Sequence, residues 1–171
     1  MGIPQYGMNK HGDDLDWAKN QVSGDFYGTV AVAGDNAQYG TAASPMAKIH
    51  LNRTIVQGHA NGFDLFLPAV SSDDAGMWLR IVVGVTNTTA IIVTAATGDP
   101  LVGNVIITKA TDAVANAAYF ASDGSDLIFT LNGGTTGGLI GSEVLFQVNK
   151  DGYWMVSGNL NGSGTLATSF S

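Results

Sequence analysis

Thirteen aspartates and a single glutamate are the residues of this chain best able to do chemistry. Two carboxylates in different surroundings are the machinery of glycoside hydrolysis: one protonates the leaving oxygen, and the other acts as nucleophile or base. Their placement argues against that use. Asp99, Asp123 and Asp151 each stand beside Gly or Pro, where a short carboxylate bonds nearby backbone and shapes a turn. Asp73-Asp74 follows Ser71-Ser72 and precedes Gly76, again a loop, and Asp13, Asp14 and Asp16 fall in the N-terminal segment. Glu143 stands alone. Turn and solvent roles are therefore expected for the acids.

Metal and phosphate chemistry find no better footing. The Asp-x-Asp-x-Asp-Gly calcium loop does not occur, and Asp123-Gly124-Ser125-Asp126 is too short to supply six oxygens alone. His50 and His59 would face each other only if Arg53–Gly58 paired back, and no third ligand lies nearby. His11 is remote from both in sequence. Without cysteine there is no disulfide, zinc–thiolate site or cysteine nucleophile. Gly137-Gly138-Leu139-Ile140-Gly141-Ser142 looks like a phosphate loop but lacks a following Lys, a following helix and a βαβ setting. Gly162-Ser163-Gly164 is not a nucleophile elbow. No catalytic residue, metal ligand or cofactor is expected.

The elements that must carry these residues are short. From Val56 to Phe170, Val/Ile/Thr runs are punctuated by Asn61-Gly62, Thr97-Gly98-Asp99-Pro100, Asp123-Gly124, Asn132-Gly133-Gly134 and Asp151-Gly152. The pattern predicts strands at 49–56, 63–68, 78–85, 90–95, 101–109, 116–122, 126–131, 143–150, 153–157 and 165–170. Their spacing is that of an all-β, antiparallel sandwich or barrel-like body with few or no helices. Phe63, Leu65 and Leu67 alternate with Asp64 and Phe66; Val144, Phe146 and Val148 alternate with Leu145, Gln147 and Asn149. One face of each strand thus needs a second sheet to cover it. Trp78 to Val85 is apolar on both faces, which predicts a central or interface strand. Asp151-Gly152 reads as a two-residue hairpin turn.

Composition changes near residue 50 and divides the chain into an N-terminal arm, 1–47, and a β-rich body, 48–171. The arm is rich in Gly, Ala and Asp, with one strand at 28–33 and a helical turn or two near Asp13–Lys19. Tyr6, Trp17, Phe26 and Tyr27 lie on it as aromatic anchors, each offering wide contact at low entropic cost. The arm is read as a docking segment. Trp78, Phe146 and Trp154 are strand residues expected in the core or an oligomer interface.

Charge narrows the partners. The chain is 45% hydrophobic and only 12% charged, with a net charge of −7. Seven scattered basic residues cannot release many phosphate counterions, which argues against nucleic acid and against an anionic membrane surface. No apolar run approaches a membrane span, and the first residues do not read as a secretory signal or, with Tyr6 where Ser or Thr is wanted, as a myristoylation site. Such a neutral polar surface tolerates close approach by another chain.

The segments LPAVSSDDAGMWLRIVV, GNVIITKA and GSEVLFQVNKDGYWMVSGNL, within residues 63–160, resemble those of tailed-bacteriophage particle proteins. The closing hairpin is carried by Gly141, Ser142, Val144, Phe146, Val148, Asp151, Gly152, Trp154, Val156, Ser157 and Gly158. The likeness is to head-decoration (cement) proteins and to the β-domains of head and tail fibres. It implies a trimeric knob on the outer surface of the capsid, made in the host cytoplasm and clamping copies of the major capsid protein. Repeats or heptads expected of a fibre are absent. The alternative is a receptor- or carbohydrate-binding module that reads sugars with loop aromatics and Asp or Asn side chains; a hydrolase stands third.

Overall fold

Short β-branched runs bounded by turn residues give twelve strands among the residues that the computed structural model describes, 29–32, 38–109 and 116–171. They are β1 (Thr29–Val32), β2 (Gln38–Thr41), β3 (Ser44–Pro45), β4 (Arg53–Gln57), β5 (Asp64–Phe66) and β6 (Trp78–Val83). There follow β7 (Ile91–Thr94), β8 (Leu101–Lys109), β9 (Ala117–Ala121), β10 (Ile128–Leu131), β11 (Glu143–Val148) and β12 (Trp154–Gly162). The helical elements among the described residues are two three-residue 3-10 turns, Lys48–His50 and Ser72–Asp74. The all-β expectation holds.

The strands form a seven-stranded sheet, β1-β4-β6-β11-β12-β8-β9, and a five-stranded sheet, β10-β7-β5-β2-β3. Neither closes into a barrel. One continuous core joins them. Leu79, Ile81, Val144, Phe146, Trp154, Val156, Leu101 and Val105 come from the large sheet, and Leu65, Ile91, Val93, Phe129 and Leu131 from the small one. Phe129 meets Phe146 across the gap edge-to-face, centroids 5.5 Å apart at 88°, and meets Phe170 at 5.2 Å and 77°.

The pairing is mixed rather than uniformly antiparallel. β1–β4, β4–β6, β2–β5, β5–β7 and β8–β12 are parallel. The reason lies in the turns. Apart from the short antiparallel β2–β3 hairpin, the chain from β1 to β7 passes from one sheet to the other between strands, so each return to a sheet runs in the same direction. Thr29 pairs with Thr54 and Thr54 with Arg80; in the facing sheet Gln38 pairs with Asp64 and Asp64 with Ile92. The N-terminal half is thus a two-sided parallel coil. Its first turn uses residues 29–32 and 38–45, which the composition places in the arm: β1 edges the large sheet, and β2 and β3 join the small one.

The β11–β12 hairpin forms where expected, with a different loop. Val148 pairs with Trp154, Asn149 donates to the Tyr153 carbonyl at 2.9 Å, and the Gly152 amide donates to Asn149 O at 3.2 Å. Three residues, 150–152, therefore span the turn, and of Asp151 and Gly152 only Gly152 takes positive φ, at 83°. That is a type I turn ended by a left-handed Gly, not a two-residue turn with both residues left-handed. Residues 165–170 do not form a strand; Phe170 makes a single bridge to Phe129.

Candidate functional site

Alternation along the large sheet leaves one broad outer face, because successive side chains point to opposite sides. The register aligns three rows across it. Trp78, Gln147, Met155 and Val102 form one; Thr54, Arg80, Leu145, Ser157, Asn104 and Ala121 the next; Val56, Val82, Glu143, Asn159, Ile106 and Tyr119 the third. Four large apolar side chains on it are exposed: Met155 (51%), Val102 (36%), Ile106 (41%) and Tyr119 (62%). Around them stand Asn104, Thr108, Ser157 and Asn159, also exposed and all neutral. No charged side chain faces outward from β12, β8 or β9 among residues 101–108, 117–121 and 155–161.

Charge on this face is confined to its other half. Arg80 on β6 donates through Nε to Thr54 Oγ1 at 3.1 Å and through its guanidinium to Glu143 Oε1 at 3.3 Å. Both partners are about half exposed, so the pair contributes roughly 0.2–1 kcal/mol and mainly sets orientation. Trp78, Arg80, Glu143, Leu145 and Gln147 line a shallow groove of about 390 Å³. A smaller hollow of about 240 Å³ on the facing sheet is lined by Gly62, Phe63, Asp64, Thr89, Ala90 and Ile92.

The acids singled out in sequence are held in loops. Asp123 Oδ1 accepts from the Ser125 amide at 2.8 Å and its hydroxyl at 2.7 Å, and those bonds hold the carboxyl below its ordinary value. Asp74 does more. Its Oδ2 accepts from Lys48 Nζ at 2.6 Å, the Ser71 amide at 2.8 Å and the Ser71 hydroxyl at 3.1 Å. The Lys48 bond first, and the Ser71 amide next, depress its pKa. Asp74 therefore caps its own 3-10 turn and ties it to the turn at 48–50. Asp99 likewise reaches across to accept from the Val70 amide at 2.8 Å.

The other candidate chemistries dissolve on inspection of their partners. His50 and His59 flank β4 at opposite ends, and β4 runs parallel to its neighbours rather than folding back, so the two rings are not brought together. Among the described residues no three His, Asp or Glu side chains gather at metal-binding distance. In the Gly-rich loop the amides from 138 to 142 are already engaged: Gly138 donates to Ser142 Oγ, Leu139 to Asn161 O, Ile140 to Thr86 Oγ1, Gly141 to Val83 O and Ser142 to Leu139 O. Such amides are not free to cradle an anion.

Of the aromatic residues chosen in sequence, Phe146 and Trp154 are fully buried between the sheets. Trp78 is half-buried on the outer face beside Gln147. The arm aromatics Tyr6, Trp17, Phe26 and Tyr27 lie outside the described residues. Sequence reasoning passed over Val102, Ile106, Tyr119 and Met155. The signal was present in Val105-Ile106-Ile107, where apolar residues fall on both faces of a strand. No protein-family model, curated protein or solved structure matches this chain.

Proposed function

We propose that this chain is a structural protein of a virus particle, decorating the outside of the capsid and bridging its major capsid protein, and that it self-associates in doing so. It acts by binding and performs no covalent chemistry. The observation that carries the reading is the outer face of the large sheet, broad, poor in charge and bearing Met155, Val102, Ile106 and Tyr119 exposed. Two exposed apolar pairs, Met155–Val102 and Ile106–Tyr119, separated by the neutral row Ser157–Asn104, give the face the apolar exposure of an interaction surface. The resemblance of residues 63–160 to phage decoration proteins supplies the particle.

Binding restricted to the assembled shell stabilises it by RT ln(1 + [L]/Kd), about 2.7 kcal/mol per site at a hundredfold excess over Kd. The test is thermal release of packaged DNA from particles with and without the protein, at low and moderate salt. Decorated particles release at higher temperature, and moderate salt changes this little because the face holds few ions. The variant Met155→Glu, Val102→Asp binds undecorated particles at least about tenfold more weakly. Equal release temperatures, or unchanged binding by the variant, would overturn the reading.

The groove around Trp78 favours a second reading, a carbohydrate-binding module. An apolar ring beside Arg80, Glu143 and Gln147 offers a stacking surface with hydrogen-bonding groups at its rim. Titration of Trp fluorescence with host polysaccharide separates the two: a saturable change lost in Trp78→Phe supports sugar binding, and a flat titration excludes it.

A further inference from the structure

We propose that two copies of this chain join edge to edge through β9, in an antiparallel two-fold pairing centred on Tyr119 that continues the large sheet from one copy into the other. This names the self-association in the reading above and depends on nothing about a capsid.

The hydrogen-bond phase of β9 decides which amides are free. The Ser122 amide donates to Gly103 O at 2.9 Å and the Lys109 amide to Asn116 O at 2.8 Å. In an antiparallel pair, residues alternate between those that exchange bonds with the partner and those that do not. With Ile106 opposite Tyr119 and Ile107 opposite Ala118, residues 116, 118, 120 and 122 bond to β8. The amides and carbonyls of Ala117, Tyr119 and Ala121 therefore point away from the sheet. Among the described residues no strand lies on that side.

Edge strands are ordinarily blunted by charge, proline or a bulge, and β9 has none of the three. It reads Ala117-Ala118-Tyr119-Phe120-Ala121 and runs in unbroken register with β8. A second copy fits it better than an unrelated strand. Centring on Tyr119 sets Ala117 against Ala121, Ala118 against Phe120, and Tyr119 against itself. Each bulky side chain but the central one then meets a small one, and the three outward residues of each copy exchange six main-chain bonds. A two-fold contact is self-complementary by construction.

Charge supports the same occupant. Each copy carries −7, so identical chains approach with least repulsion where charge is absent, and the outer face of β8, β9 and β12 is such a place. At the rim, the pairing carries Asp123 of one copy toward the Lys109 end of the other, about two strand spacings or 10 Å away. Tyr119, at 62% exposed, lies at the centre, continuous with Ile106.

The experiment is sedimentation of the full chain across a concentration series, combined with amide exchange read by NMR. The chain reaches twice 17.7 kDa, and amide protection at Ala117, Tyr119 and Ala121 rises with concentration while that at Ala118 and Phe120 is constant. Tyr119→Pro removes an amide hydrogen that the fold does not use and blocks the edge. It keeps the far-ultraviolet spectrum and weakens the dimer at least about tenfold. Should that variant misfold, the exchange pattern of the unaltered chain decides alone. A chain that is monomeric throughout, a mass of three chains, or exchange at Tyr119 indifferent to concentration would each overturn the pairing. Particle attachment by a chain monomeric in solution would sink the pairing and leave the decoration reading intact.

Discussion

Replacing Phe170 by Ala tests how the C-terminal strip holds the sandwich shut. Phe170 is buried and packs edge-on against Phe129, which in turn contacts Phe146 from the other sheet. Around it, the amides of Leu127 and Ile128 donate to Ser171 O at 3.1 and 2.8 Å, Thr130 donates to Ser169 O at 2.9 Å, and the Ser169 hydroxyl reaches Thr136 O at 2.9 Å. Removing a buried Phe ring costs about 3–5 kcal/mol where the surroundings stay fixed around the cavity. Here a cheaper escape exists. The strip can peel from β10, recovering backbone entropy of about 1–2 kcal/mol per freed residue. The loss is therefore set near the low end, about 3 kcal/mol. With a urea slope of about 2–3 kcal/mol/M this lowers the midpoint by about 1–1.5 M. Exchange of the Leu127, Ile128 and Thr130 amides accelerates more than that of Phe146 in the central β11. A midpoint shift below about 0.3 M with those three amides still protected would refute the argument that the ring anchors the strip.

Gly103 lies opposite Val156 at φ 148°, and an added Cβ would sit 2.0 Å from the Val156 carbonyl oxygen; Gly103→Ala is expected to cost at least about 2 kcal/mol, read as a drop in melting temperature. Asp74 has a folded pKa below its unfolded one, so its stabilisation is full above the unfolded value of about 4 and is lost as pH falls through the folded value. Asp74→Asn should accordingly lower stability at neutral pH and flatten the acid limb below about pH 4 in urea titrations against pH. Acrylamide should quench the emission removed by Trp78→Phe more strongly than that removed by Trp154→Phe, since Trp154 is fully buried. Arg80→Ala should change stability by less than about 1 kcal/mol, because its partner Glu143 is exposed.

Strand location was legible because alternation and turn chemistry are local. Leu101–Lys109 was read to the residue, and the inward sets Val144, Phe146, Val148 and Phe63, Leu65, Leu67 are the buried ones. Strand partnership was not legible. Asn61-Gly62 looks the same whether it closes a hairpin or turns the chain from one sheet to the other, and only long-range packing distinguishes them. β2 and β3 escaped notice because Gln38–Thr41 and Ser44–Pro45 carry little apolar pattern; parallel pairing with β5 holds β2 in place. The outer face was hidden for a related reason. Val102, Ile106 and Met155 sit on separate strands, and the register that gathers them is set by main-chain bonds rather than side-chain type. Asp74 was correctly read as a loop acid, but its link to Lys48, twenty-six residues away, has no local signature.

The order of the large sheet also sets an order in time. β1, β4 and β6 lie on one flank and β8 with β9 on the other; β11 and β12, residues 143–162, are the strands between them. On a ribosome adding about 5–20 residues per second, the 60 residues from Val83 to Glu143 take about 3–12 s. Throughout that interval the β6 edge lacks its β11 neighbour, and from its own synthesis onward the β8 edge lacks β12, each a template for a foreign strand. The closing hairpin is thus a keystone delivered late, and its three-residue loop brings β12 to β11 with little search once it emerges. A lesion in residues 149–152 should accordingly be felt first as poor yield of folded protein, before any loss in the stability of the molecules that succeed.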